Sequence, residues 1–98
     1  MKNMKIKVAN MKSGSGNSIA NQFIITTDEG RYFQSYSSII AFCPFSGGKI
    51  QLDKNYWDYS KTTGKYRNMF LRDDNKAETQ KRINNGSYEL VDLNNEEL

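Results

Sequence analysis

From Gln22 to Asp53 the chain strings together short runs rich in β-branched and aromatic residues, each closed by turn-forming residues. That punctuation leaves antiparallel sheet as the main way to bury them. QFIITT (22–27) and RYFQSY (31–36) flank a turn at Asp28, Glu29 and Gly30 and read as a hairpin. Ser38 to Phe42 is a third apolar run, followed by the only proline, Pro44, and a turn at Ser46, Gly47 and Gly48. Lys49 to Asp53 then alternates so that Ile50 and Leu52 share one face of a half-buried strand.

Outside this block the signals are thinner. Lys5 to Val8 alternates like a first strand, and residues 12–18, KSGSGNS, read as a flexible Gly/Ser loop. A helix is predicted over about 74–85, because Asp74 or Asn75 can cap its free amides, Lys81 and Arg82 suit its negative end and Gly86 stops it. With only Ala77 and Ile83 as apolar anchors, that helix lies on the surface. YELVDL (88–93) returns as a strand. The predicted fold class is α+β: one small domain over residues 1–94, a mainly antiparallel sheet of about four to six strands with one helix packed on a face, and a frayed acidic tail at 95–98.

Ninety-eight residues support a single core, and the twelve aromatics supply much of its bulk. No apolar run approaches the roughly 20 residues a membrane span needs, and MKNMKIKV has no signal-peptide character, so a cytoplasmic protein is expected. The lone Cys43 agrees with that compartment and reads as a small buried hydrophobe. From Glu89 onward the chain carries −4, so with a whole-chain charge of +3 the preceding 88 residues carry +7. A basic body of this kind favours anionic partners.

The candidate binding segment is Tyr56 to Leu71, where five aromatic rings share sixteen residues with three cations and one carboxylate. Rings interleaved with cations suit a surface that meets bases, phosphates or an acidic protein face, and the same rings can instead fill a core. An extended segment would put Tyr56 with Asp58 on one face and Trp57 with Tyr59 on the other, ahead of a turn at residues 61–64. Residues 65–71 fit a helix or an irregular strand. The expected contact residues are Lys49, Lys54, Tyr56, Tyr59, Lys61, Lys65, Tyr66, Arg67 and Arg72, with Trp57 assigned to the core.

The chain has no histidine, so Ser/His and Cys/His mechanisms within one chain, and Cys/His zinc sites, are excluded. Asp53, Asp58, Asp73, Asp74 and Glu78 remain as carboxylates, but their positions at turns and helix starts point to structural roles. No enzyme activity, cofactor or metal is expected.

The strings YWDYS (56–60), TTGKYR (62–67), Phe70-Leu71 and LVDLN (90–94), with YFQSYSSIIAF (32–42) upstream, resemble a small uncharacterised domain met in phages and plasmids of Gram-positive bacteria. The likeness covers residues 21–94 and implies a mobile-element setting. Short cofactor-free proteins in that setting often disable a host machine, so the resemblance implies an anti-CRISPR-like inhibitor that binds a host antiviral nuclease or its guide or target nucleic acid. The alternatives are a single-stranded DNA- or RNA-binding module and a small phage structural or assembly protein.

Overall fold

The computed structural model describes residues 5–94. Six strands form one sheet whose spatial order follows the chain: β1 (Lys7–Lys12), β2 (Ser18–Thr26), β3 (Gly30–Ser35), β4 (Ser38–Pro44), β5 (Ile50–Asp53) and β6 (Tyr88–Val91). The first five pair antiparallel as a meander, and β6 pairs parallel to β5. A parallel neighbour needs a crossover, which here is made by two helices, α1 (Lys61–Leu71) and α2 (Lys76–Asn84). The α+β class and the mainly antiparallel sheet expected from sequence are therefore present, with a second helix added.

The turn at 28–30 joins β2 to β3 as expected, with Thr26 opposite Arg31. Of the Gly/Ser loop read at residues 12–18, residues 13–17 form the turn of a hairpin. Ser13 N–H donates to Asn17 O at 2.8 Å, Gly16 N–H donates to Ser13 O at 2.9 Å, and Gly16 adopts φ +89°, which glycine reaches without strain. Lys12 and Ser18 already pair as strand residues.

Period-two alternation assigns the faces. Ile24, Phe33, Ala41 and Leu52 lie in register across β2 to β5, and the helices cover this side through Phe70, whose ring stacks on Phe33 at 5.8 Å. The core is Met11, Phe33, Ile40, Ala41, Leu52 and Tyr88, with Trp57, Tyr66, Phe70 and Ile83 packed partly against it. The opposite face presents Val8, Ile25, Tyr32 and Phe42, with Tyr32 and Phe42 rings 4.4 Å apart. Cys43 is half-buried and free.

α2 forms where the sequence predicts it. Asn75 Oδ1 accepts from Glu78 N–H at 2.9 Å while Glu78 Oε1 accepts from Asp74 N–H at 2.6 Å, a reciprocal cap that also holds the Glu78 carboxyl below its usual range. The acidic tail at 95–98 lies outside the described residues.

Two buried carboxylates fasten the ends of these elements. Asp53, fully buried, accepts from the backbone amides of Asn55 (2.9 Å), Tyr56 (2.8 Å) and Leu93 (2.7 Å), tying the exit of β5 to the chain beyond β6. Asp73 accepts from Thr79 Oγ1 at 2.7 Å and from Tyr88 Oη at 3.0 Å, joining the link between the helices to α2 and β6. Asp53→Ala leaves three amides without that acceptor and is expected to lower stability by about 3 kcal/mol in urea titration. A loss below about 1 kcal/mol would mean that the amides find other acceptors at little cost.

Burial, aided by the hydrogen bond to Asp73, pushes the Tyr88 hydroxyl well above its ordinary value. A raised folded-state value means that the unfolded chain loses this proton first. The stability it contributes is thus complete below about pH 10 and declines as pH rises further. Tyr88→Phe should remove that alkaline decline in thermal melts; an unchanged slope would assign it to other groups.

Candidate binding surface

The proposed contact segment is built around a buried arginine. Ser60 caps α1, its Oγ accepting from Thr63 N–H at 3.1 Å, and the inward stripe of the helix is Thr63, Gly64 and Arg67. Thr63 reaches the sheet through its hydroxyl, 2.9 Å from Ser35 Oγ. Arg67 has no accessible surface. Its Nη1 donates to Trp57 O at 2.7 Å and to Asp58 Oδ1 at 3.4 Å, its Nη2 donates to Asn68 Oδ1 at 2.9 Å, and its guanidinium lies 5.1 Å from the Trp57 ring centroid. Burial outweighs the Asp58 contact and lowers the Arg67 pKa from its ordinary value.

This geometry corrects three expectations. The turn predicted at 61–64 is the first turn of α1, and of the two readings left open for 65–71 the helix is the one present. Residues 54–59 are a series of turns, with Trp57 N–H donating to Asp53 O at 3.0 Å and Tyr59 N–H to Tyr56 O at 3.2 Å, so the strand-like division of rings between two faces does not occur. Arg67, expected on the contact face, is instead an interior ligand of its own backbone: a guanidinium removed from water must be met by carbonyl and carboxylate oxygens, and the 57–58 segment supplies them.

The remaining candidates separate. Tyr59 is 60% exposed and meets Tyr56 edge-on at 5.7 Å. Trp57 and Tyr66 are half-buried against the core, with the Lys65 ammonium 5.3 Å from the Tyr66 ring centroid. Lys61 and Lys65, one turn apart, line a cleft of about 570 Å³ with Ser60, Asp58 and Lys76. Asp58 is paired with Lys76 at 2.6 Å, which leaves both α1 lysines unpaired among the described residues. Arg72 lies at the other end of α1, roughly 16 Å away at 1.5 Å per residue. There it joins Lys12 and Arg31. Lys49 sits by Gly86 after α2, and Lys54 is exposed beyond β5. Sequence reading missed Lys76, Lys12 and Arg31; only the packing of α1 on β1–β3 and beside α2 brings them in, and no local spacing encodes that.

Among the described residues no cluster of three acids or cysteines is placed to hold a metal, and no helix is long and apolar enough to cross a membrane. Of the carboxylates named above, Asp53, Asp58, Asp73 and Glu78 are engaged in hydrogen bonding, ion pairing and capping, Asp58 with Arg67 and Lys76. The fold and this surface define a small α+β domain whose distinctive chemistry is basic clefts around an amphipathic helix. The chain belongs to a family of unknown function, DUF8033, whose model matches residues 6–85, from the start of β1 through α2. Comparison with curated proteins and with solved structures gives no match.

Arg67→Ala empties a filled interior site and strands the Trp57 carbonyl, so it should cost about 3 kcal/mol. Lys65→Ala, at an exposed site, should stay within about 0.5 kcal/mol. Denaturant titration of the two variants checks the contrast, and equal effects would contradict the interior role of Arg67.

Proposed function

We propose that this chain is a non-enzymatic binding protein of a phage or other mobile element that acts in the bacterial cytoplasm by docking on a host antiviral nuclease. Its contact is the N-terminal half of α1. The carrying observation is that Lys61 and Lys65 stand one turn apart over one cleft, in no ion pair among the described residues, just after Tyr59 in the chain, the most exposed ring of the segment. Two exposed cations and an exposed amphipathic ring in one short segment suit an acidic protein surface, where a tyrosine supplies rigid contact area and the lysines set orientation and on-rate.

The alternative, a single-stranded nucleic-acid module, needs several free rings on which bases stack. Trp57, Tyr66 and Phe70 are packed against the core, so that reading has less to draw on within this segment.

Lys61→Glu combined with Lys65→Glu should abolish nuclease binding while leaving the melting temperature within about 2 °C, since both sites are exposed and an acid in the first turn of α1 complements the helix dipole. The tagged protein is incubated with extract of a nuclease-bearing host, with and without prior digestion of nucleic acid. Recovery of the nuclease after digestion, lost in the double variant, supports the proposal. Recovery of nucleic acid alone, lost on digestion, favours the alternative.

A further inference from the structure

Lys12, Arg31 and Arg72 converge on a cleft of about 310 Å³ between the C-terminal end of α1 and strands β1 to β3, with Ile24, Met69 and Phe70 among its other walls and no carboxylate in its lining. The other basic cleft has Asp58 within it, and the groove along α2 sets Asp74 and Glu78 beside Lys81 and Arg82. The ion pairs among the described residues involve none of Lys12, Arg31 and Arg72. Three like charges around one concavity repel each other, and their combined field concentrates anions there.

One of the three side chains is also held in place. The Arg31 guanidinium lies 5.4 Å from the centroid of Phe70, whose ring is backed by the fully buried Phe33. Arg72 ends α1 in the left-handed region, φ 62° and ψ 35°, with its backbone N–H donating to Asn68 O. Glycine commonly fills that position because a Cβ is strained there, and the hydrogen bond needs only backbone. The charge of Arg72 suits the negative end of α1, and its side chain at the same time lines the cleft. Lys7, opposite Thr26, which is opposite Arg31, extends the positive strip along the same sheet face.

We infer that this cleft is a phosphate-binding site. Arg31 and Arg72 provide planar guanidinium donors, Lys12 a third charge, and Met69 an apolar flank. The phosphate belongs either to a nucleic-acid backbone or to a small free phosphate compound, and the site is independent of the lysines on the outer face of α1.

Inorganic phosphate and a labelled oligothymidylate are titrated separately into the full-length protein, with amide NMR shifts and fluorescence anisotropy as readouts. Saturable shifts at Arg31, Phe70 and Arg72 are expected. Arg72→Gly should weaken both probes roughly 10- to 100-fold while the melting temperature holds or rises, because glycine suits the backbone there. Lys61→Glu with Lys65→Glu should bind both probes as the wild type does. If Lys7→Ala weakens the oligonucleotide but not phosphate, the source is a nucleic-acid chain; if it weakens neither, the source is a small phosphate compound. Wild-type binding of both probes by Arg72→Gly overturns the site. So does a polyglutamate peptide that shifts these amides where neither phosphate probe does.

Discussion

Burying a guanidinium obliges the surrounding chain to provide oxygen atoms at fixed places, and in this protein Arg67 imposes that demand. Its donors reach back to Trp57 and Asp58, so the turns at 54–59 fold over α1, and the Trp57 ring lies against the cation. Once Arg67, Gly64 and Thr63 face inward, helical periodicity leaves Lys61 and Lys65 facing outward. The position of the exposed lysines is thus a consequence of the one cation that is not exposed.

The same logic explains which parts of the molecule could be read from residues alone. The strands between Gln22 and Asp53 announce themselves because β-branched and aromatic runs alternate between turns whose residues accept unusual backbone angles, whereas the start of β2 at Ser18 does not. α2 is equally legible, since Asn75, Glu78, Lys81 and Gly86 mark both of its ends. α1 is legible only in its second half, where Tyr66 and Phe70 stand four apart and helix is one of two readings. Its fully buried stripe is threonine, glycine and arginine, so apolar periodicity does not detect the start, and Thr62-Thr63-Gly64 imitates a turn. The available clue was Ser60 placed three residues before Thr63, in position to cap.

The site was legible in composition more than in geometry. A basic, ring-rich segment is plain in the sequence, but pooling its charges into one face fails because a helix disperses them: Arg67 turns inward, Lys61 and Lys65 face one cleft and Arg72 reaches another at the far end. The rings divide as well, with Tyr59 outside and Trp57 and Tyr66 against the core. Lys12 and Arg31 enter only because β1 and β3 flank β2, and strand pairing over that distance leaves no trace in local spacing.

The parallel pairing of β6 on β5 has a bearing on how the molecule assembles. Each of β1 to β5 meets a neighbour close to it in the chain, so the meander closes through short loops at small entropic cost. The second partner of β5 follows both helices, and until it arrives the outer edge of β5 offers unpaired amides and carbonyls. During synthesis the nascent chain therefore carries an open template at Ile50 to Asp53. Its protection against pairing with another copy depends on how soon α1 and α2 dock and deliver the final strand.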